Sequence, residues 1–311
     1  MKKLFSLLAC IGVVYANAQD FCHSHKAVSP ISLTNAGNRT ISGDSINVNG
    51  GDDVCLSLKN CHDIHITNCW FGNSTHVGVM LYQCSNISID NCYVTKVAAG
   101  VYAVDSQSIS VTNCEGKNMM GPFPRGEFVQ FNNVRGPRCR INNNRFESIF
   151  GQGDPTDAIN IYKCHGTPDD PIQVVGNKIR GGGPSKSGSG IMLGDNGGSY
   201  ITAQDNILVN PGQVGMAIAG GDHIRMINNT IYARQRDFTN VGFYIWAQAK
   251  AACSLDEISG NRVNWTKKDG SKSHTWNGGN CGDVKGWESN VIDTTIDESI
   301  LPQQLLSPCH Q

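Results

Sequence analysis

The sequence predicts an all-β solenoid, a chain wound into coils of short strands that stack about 4.8 Å apart. Three observations predict it. Short apolar strands recur at intervals of 22 to 32 residues, from Cys55-Leu-Ser-Leu58 to Phe243-Tyr-Ile-Trp246. A second strand follows in each repeat, as in Ile64-His-Ile66, Ile87-Ser-Ile89 and Ile224-Arg-Met226. Three residues past that strand's last apolar position stands one repeating column: Cys69, Cys92, Cys114, Asn144, Asn177, Asn206, Asn229, Asn261. A column of small buried thiols and then amides fits a stacked ladder. A propeller blade needs about 40 residues in four strands, and a leucine-rich repeat needs regularly spaced leucines. The repeat has neither, and no 3.6-residue periodicity points to helices.

The elements follow in chain order. Met1-Lys2-Lys3, the apolar run Leu4 to Tyr15 and Ala16-Asn17-Ala18 have the form of a signal peptide cleaved after residue 18. The apolar run is too short to span a membrane. Leu7-Leu8-Ala9-Cys10 has the form of a lipobox, but the chain stays apolar beyond it. Residues 19–40 are expected to cap the first coil. Residues 41–265 form the coils, whose first strands begin Cys55, Val79, Val101, Phe128, Ile159, Ile191, Met216 and Phe243. Residues 266–311 form a capping tail, because the apolar ends of a solenoid need covering. The predicted location is secreted or periplasmic.

Composition agrees. Of 311 residues, 35 are glycine and 16% are charged, which suits short strands and tight turns. A net charge of −1 excludes a nucleic-acid binder that works by bulk charge. The 13 cysteines are read mostly as core thiols, with Cys253 and Cys281 as the best disulfide candidates. No zinc spacing is present, and His62 and His65, His165, and His223 are spread over three coils. No metal site is assigned. Asp154 and Asp169-Asp170 are candidate Ca2+ ligands or backbone caps.

On its strand pairs and Asn column the chain resembles the right-handed, single-stranded parallel β-helix of the pectate-lyase-like superfamily, over about residues 40–265. Gly51-Asp52-Asp53 is similar to the paired-aspartate motif of polygalacturonases. No Asn-Thr-Asp precedes it and no Gly-His-Gly follows, so no catalytic role is carried over.

Strand alternation turns the second and fourth positions of each first strand outward. They carry Tyr82, Tyr102, Phe131, Tyr162, Tyr244 and Trp246, an aromatic row suited to sugar rings. Long turns at 115–127, 147–157 and 180–190 would wall a cleft beside it. Arg125, Glu127, Asp157, Arg180 and Lys186 lie on that wall. Lys163 and Asp195, at equivalent places on adjacent coils, are expected to face each other at about 5 Å. The first expectation is therefore a polysaccharide lyase acting on a uronic-acid polymer. Enzymes of the resembled fold use Lys or Arg as the base and Arg or calcium to neutralise the carboxylate. That implies Lys163 as base and Arg125 or Arg180 as neutraliser. A glycoside hydrolase on the same scaffold would use Asp157 and Asp195, with Glu127 in reserve. An epimerase and a non-catalytic glycan binder are the other readings. The expected partner is an acidic polysaccharide, bound by a monomer, with Tyr82, Tyr102, Glu127, Asn160, Tyr162, Arg180 and Lys186 holding it.

Overall fold

A computed structural model describes residues 22, 24–122, 124–184, 188–249 and 251–310. The signal segment and Lys186 lie outside them. Strands of successive coils pair in parallel and form three faces. Face A carries Ile31–Thr34, Leu56–Lys59, the ends of Trp70–Tyr82 and Tyr93–Val104, then Val129–Asn132, Ile159–His165, the start of Ser189–Gln204, Val214–Ile218, Val241–Ile245 and Thr275–Asn277. Face B runs from Gly37–Ser42 to Glu257–Ser259, and face C from Lys26–Val28 to Val291–Ile292. The fold is a parallel β-helix.

Alternation decides what fills it. The first and third positions of face A, such as Leu56 and Leu58, Ile159 and Ile161, Phe243 and Ile245, are fully buried. Phe131 is a correction. Val129, not Phe128, pairs with Val101 and Ile159, so Phe131 is a third-position residue and fully buried. Phe128 belongs to the corner, its ring 5.3 Å from that of Phe146. A slip of one residue exchanges the two faces of a strand.

The corner before the ladder is turned by residues such as Asn68, Asn91, Asn143 and Asn228, with φ between 52° and 57°. Asparagine tolerates this left-handed region better than other side chains. The next residue is the ladder. Nδ2 of Asn206 donates to Val174 O at 2.8 Å and to Asn229 Oδ1 at 2.9 Å, and the same pattern links Asn144, Asn177, Asn229, Asn261 and Asn290. Cys69, Cys92 and Cys114 continue the column as buried free thiols that donate to backbone carbonyls.

Coil pairing continues into the tail at Thr275–Asn277 and Val291–Ile292. The chain then turns back and runs along face C as a strap. Glu298 meets Arg234 and Asn210; Leu301, Leu305 and Leu306 cover Val209 and Tyr232. Ser307 and His310 bond the buried Glu115 carboxylate, and Cys309 is disulfide-linked to Cys22. Cys253 and Cys281 form the second disulfide.

Candidate functional site

Long turns occupy one corner, between faces C and A, and lead into face A. Their described residues are 118–122 with 124–128, 148–158, and 181–184 with 188, where the sequence suggests long turns, and also 234–240 and 266–274, which it did not single out. The first two deliver a group of acidic and amide side chains to the start of face A.

Asp157 is the best anchored. Its Oδ1 accepts from Ser189 N at 2.8 Å and from the Ser189 hydroxyl, and its Oδ2 accepts from Asn160 Nδ2 at 2.7 Å. Burial raises its carboxyl to about 6; the hydrogen bonds from Ser189 and Asn160 oppose that shift and the Asp195 charge adds to it. The same Asn160 nitrogen donates to Asp195 Oδ2 at 3.0 Å. The two carboxylates are thus no farther apart than two hydrogen bonds laid end to end. Asp195 is only half-buried, so it is partly open to solvent. It gets there through an irregularity: Asn160 pairs with Met192 but Tyr162 with Asp195, so Gly194 is an extra residue in the strand.

Glu127 stands one coil before Asp157. Thr156 donates to its Oε1 at 2.8 Å, while Oε2 is buried without a hydrogen-bond partner. Burial pushes its carboxyl up to about 7, with Asp157 adding to the rise and Thr156 and Arg125 opposing it. Gln130 Oε1 and Asn160 Oδ1, on paired positions of the same face, are also buried without partners. Buried acceptors are rarely left unpaired, and three together mark a place that wants donors. The Arg125 guanidinium lies 4.3 Å above the Tyr102 ring, whose hydroxyl accepts from Asn132 at 3.0 Å. Tyr162 accepts from Asn196 at 2.7 Å.

So the structure gathers Tyr102, Arg125, Glu127, Asp157, Asn160, Tyr162 and Asp195 on one face. Other expectations need correction. Lys163 does not oppose Asp195. It occupies the corner after Tyr162 with φ 53°, is exposed, and sits 5.2 Å from the Tyr162 ring. Arg180 is on face C, ion-paired with Glu147 at 3.1 Å and bonded to the strap carbonyl of Gln303 at 2.9 Å. The aromatic row is also less open than alternation suggests, for Tyr102 and Tyr244 are buried. Tyr82 is exposed, with the Lys59 ammonium 6.0 Å from its ring. Asp170 caps Arg138 N at 2.8 Å and pairs with Arg140, and Asp52 and Asp53 are exposed on a coil remote from the cluster. Sequence reasoning missed Gln130 and Thr156. Gln130 becomes visible once the strand is started at Val129, which makes it the neighbour of Asn160.

The fold and this groove define a parallel β-helix with an acidic cluster on one sheet face. Residues 17–122 match the family model described as right handed beta helix region, and the helix is right-handed. No curated protein matches the chain. Among solved structures, a variant of the catalytic domain of GH87 alpha-1,3-glucanase in complex with tetrasaccharides is similar at TM-score 0.52 and 14% identity, over 86% of this chain and 59% of that one. A variant tailspike protein of E. coli bacteriophage HK620 in complex with pentasaccharide is similar at TM-score 0.44 and 11% identity, over 84% and 52%. The chain thus spans about three fifths of the glucanase domain's length. At these identities the likeness is one of fold. Among the described residues no helix is long and apolar enough to cross a membrane.

Proposed function

We propose that the chain binds a polysaccharide along face A and hydrolyses its glycosidic bonds at Glu127, Asp157 and Asp195. One observation carries the reading: the carboxylates converge beside Arg125, while Lys163, the base that elimination would use, stands at an outer corner and Arg180 on face C. Asp195, partly open to solvent, serves as the base for water. Glu127, still protonated near neutral pH and with Oε2 unpartnered, serves as the acid for the leaving oxygen. Asp157 fixes Asn160, whose amide nitrogen holds Asp195 in place. With Glu127 protonated, the carboxylates of Asp157 and Asp195 still outnumber the one arginine and disfavour a uronic-acid polymer by like-charge repulsion, so the substrate is a neutral glycan. Every group comes from one chain, so a monomer suffices. The solved relatives bound to oligosaccharides and the two disulfides suit a glycan-acting protein of an oxidising, exported setting.

The test incubates the protein with neutral and uronic polysaccharides. New reducing ends without the ultraviolet absorbance of an unsaturated uronic product are expected. Glu127→Gln and Asp195→Asn should each lower turnover by about 10²–10⁴. Activity should fall as the pH rises through about 7, where Glu127 loses its proton, and Glu127→Gln should abolish that limb. Lys163→Ala should stay near wild type. Unsaturated product, or a Lys163→Ala loss exceeding that of Asp195→Asn, restores elimination; binding without turnover leaves a glycan-binding protein.

A further inference from the structure

Beyond the acidic cluster, face A continues toward the C-terminal coils. The column occupied by Asn160 reads Met192, Ala217, Tyr244 and Trp276 on the next four coils. Ala217 and Ala219 are fully buried in an apolar cluster with Met192 and Tyr244, which covers the face beside Asp195. Beyond this cluster stand two tryptophans that do not belong to the core: Trp246 is 41% exposed and Trp276 45%. Their ring centroids are 5.7 Å apart at 55°, and Trp276 lies 5.9 Å from the buried Tyr244. Tyr244 joins the pair to the acidic cluster. Its hydroxyl accepts from Gln248 at 2.5 Å and lies 4.0 Å from the Met192 sulfur. Its proton is held more tightly than usual by burial and by the charges of Asp157 and Asp195.

Trp246 is held from below. A Cβ on Gly278 would lie 2.6 Å from Cδ1 of Trp246, so only glycine lets the indole rest on that backbone. Asn280 clamps the following residue from both sides, accepting from Ala247 N at 2.9 Å and donating to Ala247 O at 3.1 Å. A ring fixed in this way loses little rotational freedom when it is covered.

We propose that Trp246 and Trp276 form a sugar-stacking subsite that takes a pyranose ring of the same neutral glycan, so that the polymer lies along the helix axis. This rests on the hydrolytic reading for the identity of the chain at Asp195, though not for the binding itself. Trp246 stands two coils from Asp195, about 10 Å at the usual strand spacing, the reach of a short oligosaccharide. The apolar C–H face of a pyranose matches an indole surface, while its edge hydroxyls suit the polar side chains around it. The occupant is assigned from the placement of the exposed indoles and the acidic cluster on one sheet face, two coils apart.

The experiment is affinity electrophoresis in native gels cast with α-glucan, β-glucan, xylan, polygalacturonate or alginate. It uses wild type, Trp246→Ala, Trp276→Ala and Gly278→Ala, each with its melting temperature. Wild type is expected to be retarded by at least one neutral polymer. Each tryptophan variant should weaken that retardation tenfold or more with unchanged melting, and Gly278→Ala should weaken it with both indoles still present. Retardation lost in the variants of a protein that releases no reducing ends overturns hydrolysis and keeps the subsite. Reducing ends from wild type with retardation equal in all variants overturns the subsite and keeps hydrolysis. Two further results overturn the subsite: a wild type that no polymer retards, and a dimer that Trp246→Ala converts to monomer in sedimentation.

Discussion

One amide of Asn229 takes part in four hydrogen bonds. It accepts from Asn206 N and Nδ2 at 3.0 and 2.9 Å, and donates to Ala203 O at 3.2 Å and Asn261 Oδ1 at 2.9 Å. Alanine there strands the buried donors of Asn206, at about 1–3 kcal/mol for each unsatisfied group. Asn229→Ala should therefore lower the melting temperature clearly, and thermal denaturation of the single variant checks it. Such a column is legible from sequence because its side chain type repeats at a fixed offset from apolar strands. The site residues were only partly legible, for the same geometric reason. Asp157 stands out as an acid just before a first strand and Asp195 as one just after the next. Phe131 and Lys163 were misplaced because one extra residue at Phe128 and a left-handed corner at Lys163 shift which side of the sheet a residue meets. No pattern of residue types announces a shift of one.

At the scale of the element, the strand Ser189–Gln204 carries the irregularity that places Asp195. Gly194 has φ 60°, and a Cβ on it would run into the carbonyl of Gly220 on the next coil. Gly194→Ala should push the strand off its neighbour. Both stability and turnover should fall, turnover further than in a distant substitution of equal melting temperature such as Asn229→Ala. Comparing kcat in the two at matched fraction folded checks it. The corner loops were legible as long glycine-rich turns before 128, 159 and 191. Those at 234–240 and 266–274 were missed because they lack that composition, although they stand on the same corner.

At the scale of the molecule, eight coils follow from the sequence repeat, but the face A strands Ile31–Thr34 and Thr275–Asn277 and the strap do not. Nothing in Asp293 to His310 repeats. Its docking depends on contacts nearly two hundred residues away, such as Ser307 with Glu115. The Cys22–Cys309 bond closes a chain segment of 287 residues. In the chain-entropy account such a closure is worth about 5–6 kcal/mol. The double substitution Cys22→Ser and Cys309→Ser should lower the melting temperature and open the strap to protease before the coils, as limited digestion will show. The closure also has a mechanical meaning. The α-carbons of Cys22 and Cys309 are 5.6 Å apart, so a pull on the two ends of the chain is carried by one covalent link. Tension does not reach the stacked coils. The helix, with its groove, behaves as an unloaded body hanging from a single rivet.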